Sequence, residues 1–293
     1  MTTSGQPFGA RTTLRVGGTA SSVVEIYSLG DLDLVANSLD LSRGVYVLGR
    51  GSNTLVSDAG FDGVVLHLGE AFEQFEVAPR DAAVTLVDVG AAIDLPVVAR
   101  RSVEAGLTGF EWAVGVPGSV GGAVVMNAGG HGSDMAASVV SATVFNLEAG
   151  VVQDLDAEAL AFGYRSSSLG AHQVVIGARL ALSEGDPERG RAEIREIVRW
   201  RREHQPGGAN CGSVFTNPPG DSAGRLIESS GCKGLRHGTA QVSDKHANFI
   251  QADPGGKADD VIELIEIVRG RVRETSGIVL RTEVRMPRTN RIE

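Results

Sequence analysis

Two cysteines among 293 residues are too few for a disulfide framework, and Cys211 and Cys232 form no CxxC pair. The six histidines are scattered along the chain, so no zinc-ligand spacing is present. Both thiols are expected to be reduced and buried. No run of ~18 apolar residues free of Gly and Pro occurs, and residues 1–18 carry no continuous apolar stretch of the secretory kind. The expectation is a cytoplasmic protein without membrane insertion. Cations are also in deficit, with 27 Lys and Arg against 36 Asp and Glu and a formal net charge of -9. Binding to a phosphate backbone needs clustered Lys and Arg. The one short cluster, residues 199–202, ends an expected helix, where positive charge complements the helix dipole. No nucleic-acid partner is expected.

Glycine, by contrast, is abundant: 39 residues, against an ordinary share of ~7%. The length suits two domains, since a single core stops growing at roughly 250 to 300 residues. The first half reads as short strands broken by glycine turns, at 45–48, 64–68, 84–89, 139–146 and 174–182. Two helices interrupt them. One carries Leu32, Val35, Ala36 and Leu39 at helical spacing. The other is capped by Asp94, has Pro96 in its first turn, repeats Leu95, Val98, Ala99 and Val103, and stops at Gly106. A third helix, opened by Asp186 and Pro187, carries Ile194, Ile197 and Val198 and leads to the breaker cluster Gln205-Pro206-Gly207-Gly208. The expected division is therefore 1–199 and 200–293. The second part reads as a smaller α+β unit, with strands at 213–216, 247–251 and 278–286, a helix from Ser222, and a long helix through Val261, Leu264, Ile265, Val268 and Val272 ended by Gly277.

Glycine concentrates in two segments. Gly49-Arg-Gly51-Ser52-Asn53-Thr54 follows a strand, but Thr54 stands where a dinucleotide fingerprint needs its third glycine, and no helix follows. The loop joins strand to strand, which disfavours a Rossmann fold. The second segment, 115–132, holds seven glycines in eighteen residues and includes Pro117, Gly118, Ser119, Gly121, Gly122 and Asn127. Successive backbone N–H groups in residues tolerant of positive φ can cradle a pyrophosphate without basic side chains. The same glycines also suit tight turns and close strand packing.

Ordered motifs along the whole chain resemble the UDP-N-acetylmuramate dehydrogenase family, also called UDP-N-acetylenolpyruvoylglucosamine reductase. They are Thr12-Thr-Leu-Arg-Val-Gly-Gly18, Gly49-Arg-Gly-Ser-Asn-Thr-Leu-Val56, the second glycine segment, Gly163-Tyr-Arg165, Gly212-Ser-Val-Phe-Thr-Asn-Pro218, Ala223-Gly-Arg-Leu-Ile-Glu228, Lys245-His-Ala-Asn-Phe249 and Glu283-Val-Arg285. The chain lacks the extra tyrosine-bearing loop of one subgroup and so resembles the shorter one. The resemblance implies an α+β chain with an FAD-binding domain of the vanillyl-alcohol-oxidase (PCMH) type, followed by a smaller α+β substrate-binding domain. It also implies non-covalent FAD held by the two glycine segments, NADPH as co-substrate, and UDP-N-acetylglucosamine enolpyruvate as the compound reduced, in peptidoglycan precursor synthesis.

Hydride addition to an enolpyruvyl group places negative charge beside the carboxylate, which calls for a charge-stabilising group and a proton donor. By resemblance, Arg165 takes the first role with Glu283, and Ser213 is the proton donor. Read by themselves these residues are an exposed loop arginine, a turn serine, and a glutamate sharing one face of a strand with Arg281 and Arg285. Asn217 and Tyr164 match or adjoin substrate-contacting positions. His204 stands where the family commonly has a lysine, so a phosphate contact there would be titratable. Another FAD-dependent oxidoreductase of the same fold, or a flavin- or UDP-sugar-binding pseudoenzyme, is the alternative.

Overall fold

The computed structural model describes residues 5–38, 40–79 and 84–287. The chain forms two compact units. The first comprises Val24–Gly49 and Val65–Arg201; the second comprises Thr2–Val23, Arg50–Val64 and Arg202–Glu293. The main division falls after Arg201. The segments Thr2–Val23 and Arg50–Val64, however, group with the C-terminal part rather than with the residues that surround them in sequence. A four-stranded sheet has the order Gln6–Pro7, Thr19–Ile26, Phe61–Leu68, Val45–Val47.

The first unit is built on a sheet ordered Val151–Asp156, Val139–Asn146, Gln173–Glu184, Val84–Gly90, Phe75–Val77, with Leu107–Thr108 added beside Gln173–Glu184. Its pairs are antiparallel. The three longest, Val84–Gly90, Val139–Asn146 and Gln173–Glu184, coincide closely with the apolar alternations read in the sequence, whereas Phe75–Val77, Leu107–Thr108 and Val151–Asp156 were not read there. The helix Leu95–Glu104 starts after Asp94 with proline in its first turn and buries Leu95, Val98, Ala99 and Val103, as its pattern predicts. The helix Leu29–Ser38 buries Leu32 and Val35; Leu39 lies outside the described residues. Pro187–His204 is a helix whose first turn is capped by the Asp186 carboxylate, which accepts from Glu188 N–H at 2.9 Å. Two helices were not legible: Ala157–Leu160 and Val120–Met126, the latter inside the second glycine segment. Gly121 brings it against the sheet, where a Cβ would lie 3.0 Å from Ala91 Cβ and 3.2 Å from its carbonyl oxygen.

The second unit packs the helices Ala223–Ser229 and Ala258–Ser276 with a small antiparallel sheet, Arg236–His237, Ala240–Val242, Ile250–Ala252. The long helix buries Val261, Leu264, Ile265, Val268 and Val272 on one stripe and ends at Gly277, φ 72°. Leu14, Val16 and Leu55 are buried in the same core as Val214, Phe215, Leu226 and Leu264, which explains why two N-terminal segments belong here. The strands expected at 213–216 and 278–286 are not regular strands. Each makes only isolated bridges, Phe215 to Thr282 and Thr54 to Arg285, because their partners are short loop segments rather than full strands. Leu280 and Val284 are nonetheless buried while Arg281 and Arg285 are exposed, so the expected alternation survives. The strand expected at 247–251 is shifted to Ile250–Ala252. No helix among the described residues is long and apolar enough to cross a membrane.

Candidate active site

The glycine cradle is assembled by close approach. Within the first unit, a Cβ at Gly49 would stand 2.4 Å from Ser119 Oγ, so only glycine lets the two segments meet without displacement. Ser119 is buried and holds the N-cap position of Val120–Met126. Not every N–H of that turn is available to a ligand. Val120 N–H donates to Ile93 O at 3.0 Å and Gly121 N–H to Ala91 O at 2.8 Å, so Gly121 serves the packing of the helix onto the sheet. Among the described residues the N–H groups of Gly118, Ser119 and Gly122 have no backbone acceptor. These donors, in a space that a side chain at Gly49 would fill, fit a pyrophosphate held by main-chain hydrogen bonds. Past the loop's crossing into the second unit, Gly51 (φ 62°) accepts from Thr13 N–H at 3.1 Å, and Thr54 is buried.

Asn127 was expected to touch a cofactor. Its side chain braces the arginine loop. It caps Val120–Met126 in the left-handed region (φ 41°), its Oδ1 accepts from Ala136 N–H at 3.0 Å, and its Nδ2 donates to Gly163 O at 2.9 Å and to Asp134 Oδ2 at 3.2 Å. Gly163-Tyr164-Arg165-Ser166 is a tight turn closed by Ser166 N–H to Gly163 O at 3.2 Å and Gly163 N–H to Ser166 O at 3.0 Å. Arg165 has φ 57°, at the third turn position, where a type II turn favours glycine. A non-glycine residue held there costs on the order of 1 kcal/mol or more, and such strain concentrates at functional sites. The guanidinium is aimed by donation to Gly129 O at 2.8 Å and Asn127 O at 3.5 Å. It also lies 5.2 Å from the Tyr164 ring centroid. Tyr164 is 58% exposed.

In the second unit, the residues that follow Ser213, together with Glu283 and the first glycine loop, are held in one narrow hydrogen-bond ladder. Glu283 N–H donates to Val214 O at 2.8 Å, and Thr216 N–H to Arg281 O at 2.9 Å. On the other edge of 281–285, Arg285 N–H donates to Asn53 O at 2.9 Å, Leu55 N–H to Arg285 O at 3.0 Å, and Asn53 Nδ2 to Glu283 O at 3.2 Å. Residues more than 60 positions apart in sequence are thus neighbours across rungs. The Ser213 and Glu283 side chains are half-buried. Asn217 is exposed, and its Oδ1 accepts from Ala223 N–H at 3.0 Å at the start of the helix Ala223–Ser229. His204 is exposed at the end of Pro187–His204. Cys211 and Cys232 are buried free thiols. Burial, the larger cause, together with the Glu283 charge pushes the Cys211 thiol up to about 12, so it is no nucleophile near neutrality.

Comparison with known proteins assigns this arrangement to a class. Residues 33–156 match a family model described as an FAD binding domain, which makes the chain a flavin-dependent oxidoreductase. Residues 204–287 match the C-terminal domain of UDP-N-acetylenolpyruvoylglucosamine reductase. A reductase of that description from Rubrobacter xylanophilus is 41% identical over 96% of this chain and 93% of its own length. Another, from Paramagnetospirillum magneticum, is 42% identical over 95% and 89%. The crystal structure of the Thermus caldophilus reductase superposes with a TM-score of 0.85 at 35% identity, covering 98% of this chain and all of that one. The chain belongs to the UDP-N-acetylenolpyruvoylglucosamine reductase family.

Proposed function

We propose that the protein reduces UDP-N-acetylglucosamine enolpyruvate to UDP-N-acetylmuramate in the cytoplasm, with NADPH as the reductant. The observation that carries the assignment of roles is the ladder that ties Ser213 and Glu283 to the Asn53 loop through backbone hydrogen bonds. It supports the reading by holding Val214, next to Ser213, against Glu283, at a loop of the kind that main-chain recognition of a dinucleotide requires.

Bound FAD supplies a two-electron relay from NADPH to the enolpyruvyl double bond. The chain's own residues supply the rest. The Gly49 and Gly118–Gly122 turns hold the pyrophosphate by N–H donation, which lets an acidic protein bind it without a basic cluster. Hydride addition leaves an electron pair on the carbon beside the substrate carboxylate. Arg165, pre-aimed by two carbonyl groups and a strained turn, binds that carboxylate with its planar fork and offsets the charge as it spreads into it. Ser213 Oγ delivers a proton to the same carbon, and Glu283 assists in stabilising the charge. Tyr164, Asn217 and His204 contact the substrate, with His204 near its phosphates.

The test is oxidation of NADPH by the purified yellow protein. Oxidation stimulated by UDP-N-acetylglucosamine enolpyruvate, with flavin released to the supernatant on acid precipitation, is expected. Absence of substrate-dependent turnover removes the proposal; flavin that stays with the precipitate removes its non-covalent part. Replacing Ser213 by alanine is expected to leave flavin reduction by NADPH near normal and to slow reoxidation by substrate by ~100-fold or more.

A further inference from the structure

Asn248 lies 33 positions or more from every residue assigned a role in the reaction apart from Asn217, yet it grips the segment that carries the proton donor. It is 4% exposed, and both ends of its amide are engaged by one residue: Oδ1 accepts from Phe215 N–H at 3.0 Å, and Nδ2 donates to Phe215 O at 2.8 Å. Its own carbonyl oxygen accepts from Val214 N–H at 2.9 Å. Its own N–H donates to His246 Nδ1 at 3.2 Å, and the His246 ring in turn rests edge-on against Phe249, 4.8 Å between centroids.

A side-chain amide here does the work of a missing strand. The regular strand begins only at Ile250, so no backbone N–H and C=O pair is present beside Phe215. The asparagine amide presents one acceptor and one donor at the spacing of a peptide group and completes the rung. On the opposite edge, Val214 O accepts from Glu283 N–H at 2.8 Å. The two residues following Ser213 are therefore pinned from both sides, by Asn248 and by the backbone of Glu283. Among the described residues the Ser213 hydroxyl has no hydrogen-bond partner of its own, so its direction follows from the backbone beside it.

We propose that Asn248 is a positioning residue for Ser213: by clamping Phe215 it orients the serine hydroxyl for proton delivery without touching the substrate. The inference rests on the role given to Ser213 above. Asn248→Asp keeps the shape and the acceptor but loses the donor to Phe215 O, and Asn248→Ala loses both. Neither removes a group that meets flavin or NADPH.

The experiment follows flavin reduction by NADPH and flavin reoxidation by UDP-N-acetylglucosamine enolpyruvate separately, in the wild-type holoenzyme, in Ser213→Ala, in each Asn248 variant, and in the double variants. Flavin content and thermal melting report folding. Flavin reduction is expected to stay within about twofold, while reoxidation slows about 10- to 100-fold, the scale of one or two buried hydrogen bonds. In the Ser213→Ala background the Asn248 substitutions are expected to slow reoxidation no further, because residues that act through one another are not additive. Additive slowing in the double variants, equal loss in both half-reactions, or unchanged reoxidation in a folded Asn248 variant overturns the proposal. If Asn248→Ala does not fold, the near-isosteric Asn248→Asp decides alone. A wild-type enzyme that is not reoxidised by the substrate removes the functional reading itself. A Ser213→Ala enzyme that is slowed beside unaffected Asn248 variants removes only the inference.

Discussion

Gly49 and Arg165 show opposite uses of backbone freedom at single positions. Gly49 does not sit in the left-handed region, so alanine there meets no φ penalty, only the Ser119 hydroxyl at 2.4 Å. Gly49→Ala is expected to lower stability by ~1–3 kcal/mol through overpacking. Ser119→Ala in the same chain should recover most of that loss, because the remaining Ser119 Cβ lies at 3.5 Å, an ordinary contact. Thermal melts of the single and double variants test this; a neutral Gly49→Ala would show that the turn yields freely. Arg165 is the reverse case, a side chain kept where glycine is preferred. Arg165→Gly and Arg165→Ala lose the same donations to Gly129 and Asn127, yet the glycine variant should be more stable by ~1 kcal/mol because it carries no left-handed strain. Both should lose substrate-dependent flavin reoxidation. Equal stability of the two would mean that the turn relaxes when the guanidinium is removed.

At the scale of elements, most helices were legible because their signals are local. Asp94 with Pro96, Asp186 with Pro187, and Gly277 mark ends that backbone geometry requires, and the apolar stripe of Ala258–Ser276 matches its buried face. Val120–Met126 was hidden because Gly121 and Gly122 are poor helix formers; the close approach to Ala91, invisible in sequence, overrides that propensity. The start of Ala258–Ser276 is capped from a distance as well. The Asp58 carboxylate accepts from Ala258 N–H and Asp259 N–H, each at 3.1 Å. Asp58→Ala is expected to cost about 1 kcal/mol and to lower Tm by roughly 2–4 °C. An unchanged melting temperature would show that water satisfies those two donors equally well.

For the molecule as a whole, the second unit is discontinuous in sequence. Leu14 and Leu55 are fully buried in a core whose other members come mainly from residues 211–286, and the Asn53 to Leu55 segment supplies an edge of the ladder holding Glu283. A fragment spanning 202–293 should therefore lack a closed core and fail to give a cooperative thermal transition, although it contains all of the C-terminal domain matched by the family model at 204–287. Circular dichroism of the isolated fragment checks this, and a cooperative melt would show that the N-terminal segments are dispensable for folding.

The sequence by itself determined the features that are chemically local: the three longest strands of the first unit's sheet, most of the helices, the loop that joins strand to strand without a Rossmann helix, and motifs sufficient to place the chain beside a known family. Tertiary structure alone decided what joins what. It assigned Thr2–Val23 and Arg50–Val64 to the second unit, made the Asn127 side chain a brace for the Arg165 turn, and made Asn248 the partner of Phe215. Caps and periodicities follow from torsions and hydrogen bonds a few residues apart, whereas a rung between positions 33 or 230 residues apart depends on which surfaces the whole chain can bury together.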